Sequence, residues 1–203
     1  MQFREVRLYA PGQSLGTLTA FYADSLGLPG PTVGDTTLEF AAGEGEPFYH
    51  FAFLVPPARF AALLEATPEP LPDRETGDVV FDFEAWDAKA FYFHDPAGNI
   101  VEVIAHEGIE DEGLSELGLV GDPPTLAQPL ADLRLELWDG TLDLPGRLAF
   151  LGERGRTLIL APEGRGWMPT GRPAEPHPVE AVLSGPPSGR AELADGLYVI
   201  ERV

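Results

Sequence analysis

The chain contains no cysteine. That excludes disulfides, thiolate metal sites and a cysteine nucleophile, and it agrees with a reducing compartment. Basic charge is scarce: Lys and Arg number 13 against 33 Asp and Glu, and Lys89 is the one lysine. The formal net charge of −20 repels phosphate backbones and anionic lipids, so neither nucleic acid nor a membrane surface is an expected partner. A cationic small molecule would be attracted, although an acidic surface also serves solubility alone. No run approaches the ~20 apolar residues needed to span a bilayer. Met1 to Leu8 intersperses Arg4, Glu5 and Arg7 with apolar positions. It lacks the charged-then-apolar order of a secretory leader, so a cytoplasmic protein is expected. Also missing are a glycine-rich phosphate loop, a Gly-x-Ser-x-Gly elbow and a His-Glu-x-x-His helix, which sets aside nucleotide hydrolases of the P-loop type, α/β-hydrolases and zincins.

What is present suffices for a folded core. The 203 residues are 44% hydrophobic, enough for one or two domains. Gly 23 and Pro 21 imply many turns and short elements. Phe3 to Ala10 alternates, with Val6, Leu8 and Ala10 on one face and Glu5, Arg7 and Tyr9 on the other, as in a half-buried strand. Leu15, Leu18, Phe21, Tyr22 and Leu26 form the stripe of a helix over 15–26, with Gly27 as its stop. Strands are expected over 36–42, 49–55, 79–83, 89–93 and 99–105, and a second helix over 59–66 behind Pro57. Asp95-Pro96-Ala97-Gly98 has turn chemistry. The Glu/Asp/Gly-rich stretch 108–113 reads as a linker, followed by a strand over 115–120 and a helix over 125–133.

Three echoes run in the same order through both halves. Glu5-Val6-Arg7-Leu8 returns as Glu116-Leu117-Gly118-Leu119. Thr37-Leu38-Glu39-Phe40-Ala41 returns as Thr157-Leu158-Ile159-Leu160-Ala161. Glu46-Pro47 before a strand returns as Glu175-Pro176 before another. The second half has no room for a counterpart of the helix at 59–66. The expectation is an α+β chain of paired βαβββ modules, residues 1–108 complete and residues 113–203 a reduced copy.

Three segments carry a family resemblance: Glu5-Val6-Arg7-Leu8 with Phe21-Tyr22-Ala23-Asp24-Ser25-Leu26-Gly27-Leu28; His50-Phe51-Ala52-Phe53-Leu54-Val55; and Phe93-His94-Asp95-Pro96-Ala97-Gly98-Asn99-Ile100-Val101-Glu102. Together they resemble the opening strand and FY-x3-LG-L helix end, the H-x-A-F-x-V strand and the F-x-D-P-x-G-N-x-x-E signature of the vicinal oxygen chelate superfamily, which includes glyoxalases, extradiol dioxygenases and bleomycin-resistance proteins. The resemblance covers residues 1–106. It implies a mixed sheet curled into an open cup, with metal ligands on the opening, H-x-A-F and closing strands. By position these are Glu5, His50 and Glu102, with Glu5 and Glu102 as the catalytic carboxylates. The superfamily often has histidine at the first position, so the glutamate here is a departure.

Strand alternation supports the placement independently. Glu5 lies opposite Val6 and Leu8, His50 opposite Phe51 and Phe53, and Glu102 opposite Val101 and Val103. One imidazole with two carboxylates suits Fe, Mn, Ni, Co or Zn as a divalent ion and leaves coordination positions for a chelating small molecule. The leading expectation is a metal-dependent glyoxalase- or dioxygenase-like enzyme acting on a small oxygen-rich organic substrate. The alternative is a metal-free cup that sequesters a cationic drug. Blander readings stand beside the functional ones. His50 can be a core histidine bonded to backbone, Glu5 a partner of Arg7, and Glu102 a partner of an arginine at a sheet edge. Asp95 and Asn99 read as turn formers, Lys89 as a solvated charge, and His106 as a surface residue. Trp167 reads as a plug of the second core. Glu116 occupies the Glu5 position of the second half, but Val179 stands at the His50 position, so a second metal site is not expected. Either a monomer, with two copies in one chain, or a homodimer fits.

Overall fold

The computed structural model describes residues 1–25 and 32–203. β1 (Phe3–Ala10) leads through α1 (Leu15–Ser25) to β2 (Thr32–Val33) and β3 (Thr36–Ala42). β4 (His50–Leu54) leads through α2 (Pro57–Ala66) to β5 (Phe81–Phe83), β6 (Ala88–His94) and β7 (Ile100–His106). β8 (Gly113–Val120) leads through α3 (Pro123–Ala131) to β9 (Leu137–Gly140), β10 (Ala149–Glu153) and β11 (Arg156–Ala161). A short ribbon, β12 (Gly166–Trp167) with β13 (Arg172–Pro173), precedes β14 (Val179–Leu183), β15 (Gly189–Leu193) and β16 (Tyr198–Arg202). In each of the four larger groups the first strand lies parallel to the last: β1 with β3, β4 with β7, β8 with β11, and β14 with β16.

These groups assemble into two sheets. One has the order β15-β16-β14-β1-β3-β2, the other β5-β6-β7-β4-β8-β11-β10-β9. Each is a mixed sheet joined at its middle by an antiparallel seam, β1 against β14 and β4 against β8. The six-stranded sheet therefore joins the two ends of the chain, and the eight-stranded sheet is built from its middle. The helices pack against them. Leu18 and Tyr22 of α1, Leu63 of α2, and Leu126 and Leu130 of α3 join Val6, Leu8, Phe51, Phe53, Leu117 and Leu119 in one continuous core. That burial is the main stabilising term of the fold.

The two sheets differ on their other faces. On the six-stranded sheet, Glu5 and Arg7 of β1 are exposed, and the Arg7 guanidinium donates to Glu39 and Glu180. That face meets solvent. On the eight-stranded sheet the other face is buried too. Ala52, Ala88, Ala90, Tyr92, Ile100, Ile104, Ile159 and Ala161 form a second apolar cluster there. A strand covered on both sides shows no polar alternation, which is why all five residues of β4 are buried. This sheet curls until its ends approach. Trp86, in the turn between β5 and β6, lies 5.1 Å from Trp138 of β9 and 5.0 Å from Phe150 of β10, and its indole donates to Asp139 at 2.7 Å. The result is a half-barrel whose concave interior is the second cluster.

Several sequence expectations shift locally. The strand expected over 79–83 is confined to Phe81–Phe83. The helix expected over 125–133 starts at Pro123, because the Asp122 side chain accepts from the Thr125 amide and prolines fit the first helical turn. Leu26 and Gly27, the expected end of the first helix, lie outside the described residues, as does Leu28. None of the described helices is long and apolar enough to cross a membrane.

Candidate metal centre

The site is built where β4 sits between β7 and β8. In β4, Phe51 and Phe53 face the helix-side core, so His50 and Ala52 face the concave side. In β7, Val101 and Val103 face the helices and Glu102 faces the concave side, paired directly with Ala52. On its other flank Ala52 pairs with Glu116 of β8. Alanine at the centre of this row leaves room for two carboxylates to lean toward each other and toward His50.

His50, Glu102 and Glu116 each offer one ligand atom, and these atoms all lie within 4.8 Å of one another. The His50 Nε2 to Glu102 Oε2 distance is 3.6 Å. That is too long for a good hydrogen bond, but two ligands each ~2.1 Å from one ion lie about 3–4 Å apart. His50 Nδ1 lies 3.1 Å from the Ile100 carbonyl oxygen, so it is the protonated nitrogen and donates there. This fixes the tautomer and leaves the Nε2 lone pair aimed at Glu102, as metal-binding histidines require.

The electrostatics of the cluster suit a divalent cation. His50, Glu102 and Glu116 are 6%, 3% and 4% exposed. Burial lowers the His50 imidazole to about 4, with the positive charge of Arg165 adding to the effect, so it is neutral at pH 7. Burial raises the Glu116 carboxyl to about 8. Burial, then the Glu116 charge, raises Glu102 well above the carboxylate range, while a hydrogen bond with Tyr92 opposes this. No lysine or arginine pairs with either glutamate among the described residues. Two buried acids beside a neutral imidazole carry a large desolvation cost, which a divalent cation offsets.

Three further residues touch this centre. Tyr92 of β6 pairs directly with Glu102 across the ladder, and its hydroxyl lies against that carboxylate. Thr157 of β11 pairs directly with Glu116, and its buried hydroxyl has no hydrogen-bond partner. Trp167 lies over His50 with ring centroids 4.8 Å apart. Gly118 allows this approach, since a Cβ there would meet the indole at 3.0 Å. Trp167 therefore roofs the cup. The expectation that it plugs a second core is corrected: the ribbon that carries it folds back across β4.

The expected residues separate into two groups. His50 and Glu102 meet. Glu5 does not join them. It lies on β1 in the other sheet, paired with Thr37 and Val182, with its side chain in solvent. Glu116 stands in its place. The signal existed in the echo between Glu5-Val6-Arg7-Leu8 and Glu116-Leu117-Gly118-Leu119, but strand alternation reports a face and not which sheet the strand enters. His106 is also corrected from a surface residue to a buried one, 1% exposed at the end of β7 with its Nε2 unpartnered. Lys89 is exposed and lies 3.9 Å from Asp82. Asp95 and Asn99 are turn formers: Asp95 accepts from the Ala97 and Asn99 amides, and Asn99 accepts from the Tyr49 amide, which sets β4 against β7.

Half-barrel, helix placement and strand order together define the vicinal oxygen chelate fold, with a buried His-Glu-Glu cluster in its concavity. Among solved structures, a Bacillus subtilis strain 168 protein described as a candidate dioxygenase matches over 100% of this chain and 85% of its own, at TM-score 0.57 and 14% identity. The V278E mutant of glyoxalase I from Zea mays matches over 100% and 92%, at TM-score 0.56 and 16% identity. No protein-family profile and no curated protein sequence matches the chain.

Proposed function

We propose that this protein is a metal-dependent enzyme of the vicinal oxygen chelate type, acting on a small organic substrate at His50, Glu102 and Glu116. The observation that carries the reading is the convergence of three buried side chains of metal-ligand type from three strands, two of them carboxylates that no lysine or arginine pairs among the described residues. The donor set of one nitrogen and two oxygens suits Mn, Fe, Co, Ni or Zn and disfavours Cu(I). His50, Glu102 and Glu116 would hold such an ion, which would supply Lewis-acid stabilisation of negative charge on substrate oxygens. The chain supplies the rest. Glu102, next to the Tyr92 hydroxyl, is the carboxylate placed to accept a proton from substrate. The unpartnered Thr157 hydroxyl is placed to donate to a substrate oxygen or a water. Trp167 and the alanine-rich floor exclude bulk water.

The position equivalent to Glu102 in the β8–β11 group is Ile159, which pairs with Gly118 as Glu102 pairs with Ala52. Three protein ligands rather than four leave open positions, as a chelating substrate needs. Reactions of glyoxalase or ring-cleaving dioxygenase type both fit this arrangement. The shared wiring of the four strand groups supports an internal repeat, with residues 1–108 as one vicinal oxygen chelate module and 113–203 as a reduced second one. The catalytic cup then falls between modules, on β4, β7 and β8. A metal-free cup for a cationic drug is less well supported, because the roof carries arginines rather than acids.

Metal uptake tests the reading. Purified protein dialysed against Mn²⁺ or Zn²⁺ should retain about one ion per chain. Glu116→Gln and His50→Ala should each weaken affinity by at least about tenfold, and Glu5→Gln should leave it unchanged. Retention of no ion, or equal loss in Glu5→Gln, would refute the proposed centre.

A further inference from the structure

The ribbon that roofs the cup collects positive charge in a chain that has little. Among the described residues, Arg74, Arg165 and Arg172 at the ribbon lack a carboxylate within ion-pair distance, as do Arg134, Arg147 and Arg202 elsewhere, whereas Arg4, Arg7, Arg59, Arg154, Arg156 and Arg190 each have at least one. Two of the three at the ribbon are tied down. Arg74 donates to the Thr170 carbonyl at 3.2 Å. Arg172 donates to the Gly98 carbonyl at 3.1 Å and lies 3.4 Å over the Phe48 ring. Arg165 is different. One nitrogen donates to the Gly166 carbonyl at 3.0 Å, and its other donors have no protein partner. It stands two positions before Trp167, and its carbonyl accepts from the Ala174 amide, which continues the ribbon's ladder, so alternation puts it on the same side as the indole that covers His50. Arg165 is half-buried, and Trp167, two residues on, has its ring 4.8 Å from that of His50. A half-buried guanidinium with free donors, on the face of the ribbon that carries the indole, is matched by an anion.

We infer that the substrate is a small organic acid: its vicinal oxygens reach the His50/Glu102/Glu116 cluster while a carboxylate elsewhere on it is held by Arg165. This rests on the proposed metal centre and adds the substrate class. It runs against the long-range field, since a chain of net charge −20 disfavours anions everywhere that arginine is not concentrated.

A matched pair of chelators tests it. Butyrohydroxamate and succinate monohydroxamate present the same oxygen pair, and only the second adds a carboxylate. Each would be titrated by calorimetry into Mn²⁺-loaded protein, with ion content checked after titration. The wild type should bind succinate monohydroxamate about tenfold or more tightly than its neutral partner. Arg165→Gln should abolish that preference and leave butyrohydroxamate affinity unchanged, and Arg165→Lys should keep part of it. Equal wild-type affinities, a preference that survives Arg165→Gln, parallel loss of both ligands, or binding of neither to loaded protein would each overturn the inference. Failure to load Mn²⁺ at all would instead strike at the metal centre.

Discussion

Asp95 shows how one side chain can organise the approach to a site without taking part in its chemistry. Its carboxylate, 4% exposed, accepts from the Ala97 and Asn99 amides, the Tyr22 hydroxyl and the Asn99 side-chain amide. Asn99 in turn holds Tyr49, the residue before His50. Asp95→Ala strands several buried donors, so a loss of about 3 kcal/mol is expected in denaturant unfolding. A change under 1 kcal/mol would show that the turn does not depend on this carboxylate. Both turn residues were legible in the Asp-Pro-Ala-Gly-Asn run, because their hydrogen bonds are local. Glu116 was not. Its role depends on β8 lying beside β4, a partnership between residues more than sixty positions apart.

Among the elements, the closure of the curled sheet is the feature most open to test. β5 and β9 are its edges, and the Trp86, Trp138 and Phe150 cluster with the Trp86–Asp139 hydrogen bond joins them. Trp86→Ala removes an indole that is only partly buried, so about 2 kcal/mol of destabilisation is expected, less than for a fully buried tryptophan. With the clasp gone, amides of β9 should exchange faster while those of β4 and β7 keep their protection. Uniform acceleration across the whole sheet would mean that the clasp serves global stability rather than closure. The strands and the α1 stripe could be read from alternation and spacing, since these are properties of consecutive residues. Curvature could not, because it comes from side chains on opposite edges finding each other.

For the molecule as a whole, the buried acids predict an unusual dependence of stability on pH. In ion-free protein burial raises Glu116 to about 8, and burial and the Glu116 charge raise Glu102 well above its ordinary value. The folded chain then holds protons that the unfolded chain releases above the usual glutamate value of ~4.5, so these groups make stability fall as pH rises toward 8. His50 acts oppositely. Lowered to about 4 from 6.5, it makes stability rise across that interval and contributes no further slope above it. Between pH 6.5 and 8, unfolding in chelator should therefore show falling stability, at up to about 1.4 kcal/mol per pH unit for each retained proton. Glu116→Gln should make the slope shallower. Added Zn²⁺ should reverse it, because the ion binds the deprotonated carboxylates. A flat profile across that window, in both the wild type and Glu116→Gln, would contradict the burial of this pair.

Elements and turns were readable along the chain, and the resemblance singled out His50 and Glu102, which the fold brings together. The elements and turns rest on chemistry between near neighbours or on the period of a strand. The choice of Glu116 over Glu5, the burial of His106, the roofing by Trp167 and the gathering of unpaired arginines around it were settled by folding. A strand's alternation says which residues share a face, but the identity of the neighbouring strand depends on how four similarly wired groups pair across two seams. That pairing is decided by burial of entire faces: the Ala52, Ile104 and Ile159 side of one sheet turns inward, while the Glu5, Arg7 and Glu180 side of the other stays in water.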